Sequence, residues 1–334
     1  MRSLDTKLSR IHADPGGARD FILADAKDAD MAFGLAAPGV DPASGRPRSL
    51  ADYRDQMREI VRQGLVDIML MSASTSALLT VEEELFEGSQ VTPAVRANDS
   101  TDIHLLSGGT YAQQPAQPFR TPTIEQIGTG RAVPDPSEVA RVDLALYSIT
   151  PLGDAERDVA ALGAYRDFRV EAESKGMRHF LEVFDPNVPL TEPPPDLGRF
   201  INDFVARTLA GVPSSGRPLF LKLAYHGPEA LESLVAYDPH LVAGILGGSS
   251  GTTFDAFRLL EEARRHGGRA ALFGRKINAS EHQLTFVTYL RAIADGEIEA
   301  AEACSAYHAD LERLGISPSR PLAEDMLITD PALA

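Results

Sequence analysis

Short apolar runs alternate with longer amphipathic stretches along most of this chain. Eight runs, β-branched or leucine-rich, read as strands: Phe21–Asp28, Val66–Ser72, Thr92–Asn98, Val142–Ile149, His179–Phe184, Leu219–Tyr225, Val242–Gly248 and Ala270–Lys276. Between them, apolar residues recur at three- and four-residue spacing. Leu50, Tyr53, Met57, Ile60 and Val61 mark one helix, and Val159, Leu162 and Tyr165 mark a long one over Gly153–Gly176. Leu197, Phe200, Ile201, Phe204, Val205 and Leu209 form another stripe. Pro228 opens a helix carrying Leu231, Leu234 and Val235, because proline is tolerated in a first turn. Thr252 or Thr253 would cap the next, which holds Phe254, Phe257 and Leu260. Leu284, Val287, Leu290 and Ile293 mark the eighth helix, and a further one spans about Ile298–Leu314. Strands alternating with helices predict the α/β class, a parallel sheet with helices outside. Eight of them predict closure into a (β/α)8 TIM barrel, one domain over residues 1–334.

Two intervals break the rhythm. Asp99–Arg141, between the third and fourth strands, is rich in Gly, Pro, Gln and Thr. It reads as an insertion on the βα-loop side, with hairpin character and one short helix at Pro136–Arg141, and a loop of that length is more often functional or mobile than inert. Asp185–Asp196 holds five prolines and leads into the fifth helix.

Composition narrows the function classes. Lys plus Arg is 32 and Asp plus Glu 48, a formal charge of −16. Nucleic acid and anionic membrane as main partners need the opposite balance. A small anionic substrate stays open, since a site can be locally basic. With 43% hydrophobic and 24% charged residues the chain can bury a sizeable core. The single cysteine, Cys304, allows neither an internal disulfide nor a cysteine-based zinc site. No apolar run of spanning length and no N-terminal apolar segment is present, so the expected compartment is the cytoplasm.

The polar residues collect at the C-terminal ends of the predicted strands, where barrel active sites are built. Asp25, Lys27 and Asp28 end the first; Ser72 and Ser74 follow the second; Arg96 and Asn98 end the third; Ser148 and Thr150 end the fourth. Solvated strand ends explain the serines. They explain Lys222 poorly, because Leu221 and Leu223 flank it and strand interiors rarely hold an unpaired ammonium. Alternation sends the two leucines toward the helices and Lys222 toward the lumen. A desolvated lysine loses basicity and can attack a carbonyl, giving an iminium that permits carbon–carbon cleavage. Equally open is a buried ion pair with Glu182 of the neighbouring strand, a residue that would also serve as a proton shuttle. Gly247-Gly248-Ser249-Ser250-Gly251-Thr252-Thr253 then precedes a helix, and backbone amides of such a turn and of a helix N-terminus hold anions. Gly274-Arg275 on the next strand adds a charged donor, in the place where these barrels bind phosphate.

These residues resemble a family. Phe220-Leu221-Lys222-Leu223, Gly247-Gly248-Ser249 and Phe273-Gly274-Arg275 look like strands six, seven and eight of Schiff-base (class I) aldolases, within the superfamily of the deoxyribose-phosphate, tagatose-bisphosphate and sulfofructose-phosphate aldolases. His179-Phe180-Leu181-Glu182 looks like its fifth strand. The resemblance implies a lyase cleaving or forming a carbon–carbon bond in a phosphorylated ketose. It implies Lys222 as the Schiff-base lysine, phosphate held by Gly248, Ser249, Gly274 and Arg275, and Asp25 assisting the chemistry. Related enzymes carry a tyrosine acid/base where this chain has Thr150, which favours Glu182 for proton transfer. Lys27 would repel the Lys222 charge, bind a second phosphate, or be the nucleophile itself. Arg96 and Asn98 are expected at substrate hydroxyls. No cofactor is expected, and the C-terminal helix offers a surface for a homo-oligomer.

Other readings remain. A metal-dependent aldolase needs histidines at strand ends. None of the eight histidines forms a close-spaced pair, and only His226, just past the sixth strand, is placed to touch substrate. Pyridoxal phosphate would also use a lysine imine, but no Asp or Arg is clearly set for its ring nitrogen. An acyl-transferring, thiolase-like relative and a non-catalytic sugar-phosphate binder complete the alternatives.

Overall fold

The computed structural model describes residues 1–41, 44–248 and 251–333. Eight parallel strands close into a barrel: β1 Ile22–Lys27, β2 Ile68–Met71, β3 Thr92–Arg96, β6 Leu144–Ile149, β7 Arg178–Val183, β8 Leu221–Leu223, β9 Gly244–Leu246 and β10 Ala270–Phe273. Two further strands, β4 Asp99–Ser100 and β5 Pro118–Phe119, pair antiparallel outside it. The helices are α1 Ser3–Ala13, α2 Asp30–Phe33, α3 Leu50–Gln63, α4 Ala73–Ser76, α5 Ile124–Thr129, α6 Ala155–Ser174, α7 Leu197–Ala210, α8 Pro228–Tyr237, α9 Thr253–Arg265, α10 Arg275–Ala279, α11 Gln283–Asp295, α12 Ala300–Arg313 and α13 Leu322–Asp325. Each of the eight expected strands is present, and the chain is a (β/α)8 barrel. None of the described helices is long and apolar enough to cross a membrane.

Strand alternation divides the core in two. Leu23, Met69, Val95, Tyr147, Leu181, Leu221, Leu223 and Phe273 face the helices and form the larger cluster. Ile22, Ala24, Ala26, Leu70, Ala94, Leu146, Phe180, Phe220 and Leu272 fill the lumen, where the Phe180 and Phe220 rings stack at 4.6 Å. Full burial of side chains of this kind contributes about 1.5–3 kcal/mol each.

Helix α1 was not expected from the charged N-terminus. Its Leu4, Leu8 and Ile11 share one face and join the lumen cluster from below. Arg2 donates to the carbonyls of Phe86, Ser89 and Val91, the last of them next to the start of β3, and Lys7 to that of Phe21, next to the start of β1. The helix therefore lies across the floor of the barrel.

The 99–141 interval holds the expected hairpin pair, but its helix is elsewhere. Pro136–Arg141 is not helical; α5 at Ile124–Thr129 completes the third strand–helix unit. Thr123 and Gln126 build a capping box there, and Ile124 and Ile127 supply the buried face, whereas Pro136–Arg141 offers neither. Strand ends are shorter than expected, and Arg275 and Lys276 begin α10 instead of ending β10. Helix α12 buries Ala303, Cys304, Tyr307 and Leu311 within the chain's own larger core cluster.

Candidate active site

Lys222 and Glu182 are register partners on β8 and β7. Both project into the lumen, and the ammonium Nζ stands 2.5 Å from Glu182 Oε1. The other carboxylate oxygen, Oε2, accepts from Arg96 Nη2 at 3.1 Å and from Ser148 Oγ at 2.7 Å. Arg96 also donates through Nη1 to Ser148 Oγ at 2.8 Å and through Nε to Asp28 Oδ2 at 2.5 Å. Asn98 brackets the Ser148 peptide, accepting from its N–H at 2.6 Å and donating to its carbonyl at 2.8 Å. Two cations thus face two carboxylates in a buried, hydrogen-bonded network, the arrangement in which charges in a dry interior are tolerated. Burial alone would raise the Glu182 carboxyl, but Lys222, Arg96 and the Ser148 hydroxyl outweigh it and hold it below its usual range. Burial would likewise lower Arg96, and the Asp28 and Glu182 carboxylates reverse that.

A cavity of about 150 Å³ opens above this network. Lys222, Glu182, Arg96 and Asp28 line one side, and Gly247, Gly248, Gly274 and Arg275 the other. Gly248 has φ +60°, open to glycine at little strain. A Cβ on Gly274 would stand 2.2 Å from the Ala26 carbonyl, so only glycine lets β10 lie this close to β1. Arg275 is exposed at the cavity rim, and its guanidinium has no hydrogen bond or ion pair among the described residues. Among the described residues it is the cation of the cavity lining that no carboxylate pairs. Ser249, expected among the anion-binding groups, lies outside the described residues.

Three expectations need correction. Asp25 and Lys27 are not in the lumen. The inward set of β1 is Ile22, Ala24, Ala26 and then Asp28, so Asp25 and Lys27 point into the helix layer, and Asp28 takes the place assigned to Asp25. Lys27 Nζ donates to Gln283 Oε1 at 2.8 Å and lies 3.8 Å from Asp25 Oδ2. Second, the N-terminus of α9 is not open to a ligand. The Thr253 N–H donates to Asp325 Oδ1 at 2.8 Å, the Thr252 hydroxyl to the Leu327 carbonyl at 2.8 Å, and Arg320 to the Gly251 carbonyl at 3.0 Å. The C-terminal tail docks there. Third, Asn98 is engaged with the Ser148 peptide and does not line the cavity, whereas Arg96 does line it while bonded to Asp28, Ser148 and Glu182. His226 pairs with Asp185 at 2.9 Å and does not line the cavity.

Sequence reasoning passed over Ser148, read as a solvated strand end. It also missed that Cys304 and His308, four residues apart on α12, meet Asp325. There His308 Nε2 and Asp325 Oδ2 are 2.9 Å apart, and burial pushes the Cys304 thiol up to about 12. That cluster reads as an anchor for the tail.

No protein-family model and no curated protein matches the sequence. Solved structures do match in shape. A fructose-bisphosphate aldolase from Slackia heliotrinireducens superposes with a TM-score of 0.66 at 14% identity, covering 93% of this chain and 92% of that one. An archaeal fructose 1,6-bisphosphate aldolase gives 0.62 at 16% identity, with 88% and 100% covered. A second archaeal structure, whose catalytic lysine is covalently bound to the carbinolamine intermediate of its substrate, gives the same score, identity and coverage. At these identities the likeness is one of fold.

Proposed function

We propose that the chain is a Schiff-base aldolase acting on a phosphorylated ketose. The observation that carries the reading is the Lys222–Glu182 contact of 2.5 Å in a cavity whose opposite wall is Gly247-Gly248 and Arg275. A primary amine, a proton acceptor in contact with it and a cationic glycine-lined wall are the three parts that iminium chemistry on a keto phosphate needs.

The steps follow from the network. Transfer of the ammonium proton to Glu182 leaves a free amine. Arg96 and Asp28 still pair, so the transfer strands no buried charge. The amine adds to the ketone, and protonation of the carbinolamine hydroxyl by Glu182 expels water to give the iminium. Asp28 or Glu182 takes the proton of the hydroxyl at the breaking bond. The bonding pair moves into the iminium, releasing an aldehyde and leaving an enamine. Protonation of the enamine carbon and addition of water return the three-carbon keto phosphate and the lysine. Asp28 fills the role expected of Asp25, since it alone of the two reaches the cavity.

The test is reductive trapping. With dihydroxyacetone phosphate and sodium borohydride, the peptide carrying Lys222 is expected to gain the mass of one reduced ligand, read by mass spectrometry. A protein that binds ketose phosphates and forms no adduct is the non-catalytic binder, with Lys222 only half of a buried ion pair. Arg275→Met should weaken binding of the phosphorylated ligand about 10- to 100-fold, the loss of one or two charge-assisted hydrogen bonds, with little change in kcat. Titration calorimetry and steady-state kinetics read the two halves of that expectation. An equal fall in kcat and kcat/KM would place Arg275 at the reacting atoms instead.

A further inference from the structure

The lumen cavity has a neighbour. A second space of about 480 Å³ lies between the tops of β2 and β3 and the hairpin of the insertion. One thin wall divides the two. Ala29, Ala32 and Phe33 face the lumen cavity, while Asp30 and Met31, interleaved with them, face the outer one. Ile103 and Leu105 face inward, and His104 between them faces outward. The two halves of the wall join through the Leu105 N–H on the Ala32 carbonyl at 2.8 Å. Helix α2 is four residues long and has no buried residue of its own; that bond and the Ser72 hydroxyl on Asp30 Oδ2 at 2.6 Å tie it down, polar contacts without a packed side chain, as in segments that open locally.

The inner space alone matches roughly five water molecules at ~30 Å³ each. Ligand sites ordinarily measure ~300–1,000 Å³. Only with the outer space does the site reach that range.

The outer lining has a definite chemistry. Asp30, Ser72, Ser74, Asp99, His104, Thr121 and Gln126 supply its polar groups among apolar neighbours such as Met31 and Phe119, and no lysine or arginine lines it. The guanidiniums that act on its carboxylates, those of Arg54 and Arg96, are bonded to Thr75 and to Asp28, Ser148 and Glu182. Asp30 Oδ1 and His104 Nδ1 are buried there with no hydrogen-bond partner among the described residues. Buried polar atoms of this kind await a partner. Carboxylate oxygens only accept, so hydroxyl donors satisfy them and phosphate oxygens do not. Burial pushes Asp99 up to about 6, which leaves it anionic at neutral pH.

We infer that this outer space is the second half of the substrate site and takes an uncharged, hydroxyl-bearing end. The substrate class is then a ketose monophosphate, its one phosphate held at Arg275, and bisphosphates are disfavoured. The inference rests on the aldolase reading and narrows it.

The synthetic direction tests it. Dihydroxyacetone phosphate is the donor. Its enamine carbon bonds to the carbonyl carbon of an aldehyde, whose oxygen becomes a hydroxyl, with no oxidant or reductant required. Glyceraldehyde and glyceraldehyde 3-phosphate are compared as acceptors, and borohydride trapping with the donor alone is run beside them. Like charges brought together across a site cost enough to give at least about tenfold discrimination. We therefore expect kcat/KM for glyceraldehyde to exceed that for its phosphate at least about tenfold, and Ser74→Arg, which sets a cation in the outer space, to shift the ratio toward the phosphate. If trapping succeeds and the phosphorylated acceptor is preferred, the outer subsite is refuted and the aldolase reading stands. If trapping fails, the aldolase reading falls and this inference with it.

Discussion

Lys222→Met should lower aldol cleavage by on the order of 10⁴-fold or more and abolish borohydride trapping altogether. The size follows from what is removed. Every bond-making step of the proposed path passes through that nitrogen, whereas Arg275 only holds one end of the ligand. The protein should still fold. Glu182 keeps Arg96 and Ser148 as partners, so its carboxylate is not left alone in the lumen. Thermal unfolding of the variant, read with its activity, separates lost chemistry from lost structure. A variant within tenfold of the parent rate would remove Lys222 from the mechanism.

The second large effect lies outside the lumen. Asp25 and Lys27 are wholly buried in the helix layer, and neither Asp25 oxygen has a hydrogen-bond partner among the described residues. Burial pushes the Asp25 carboxyl up to about 7, with Lys27 opposing, and lowers Lys27 to about 8, with Asp25 opposing. Raised from an ordinary 3.8, Asp25 supports the fold at low pH and withdraws that support as pH rises through 7. Lowered from 10.5, Lys27 supports the fold at high pH and withdraws it as pH falls through 8. Lys27→Met leaves Asp25 with no counter-charge. At pH 8, where Asp25 ionises, the loss should reach about 3–5 kcal/mol, the usual penalty for breaking a buried pair. At pH 5.5 Asp25 is already protonated in the folded protein, so the loss should be clearly smaller. Urea unfolding at the two pH values measures both. Equal losses would mean that Lys27 matters for packing and its bond to Gln283, and not for charge.

The barrel was legible because each strand is an apolar run ended by polar residues, and because helical spacing between runs is strong, as in Leu197 to Leu209. Lys222 stood out as an ammonium between two leucines. The wrong side assigned to Asp25 has a physical origin. Both faces of a barrel strand are buried, so Phe21 and Leu23 on one side and Ile22 and Ala24 on the other give no polarity to set the phase. Only the register with β2 and β10 decides it. Helix α1 carried its signal in Leu4, Leu8 and Ile11, masked by the charges between them. The tail contact of Asp325 with Thr253 joins residues 72 apart, and no local pattern announces it. The wall between the two cavities is equally non-local, since α2 and the 103–105 stretch come from different loops.

The helix across the floor has a kinetic consequence. With α1 across the floor and stacked rings filling the middle, the lumen cavity opens toward the top of the barrel. On the proposed path the fragments leave in order, the aldehyde first, while its partner is still tethered to the lysine. Product-inhibition patterns should then be those of an ordered release, with the keto phosphate competing directly against substrate and the aldehyde not.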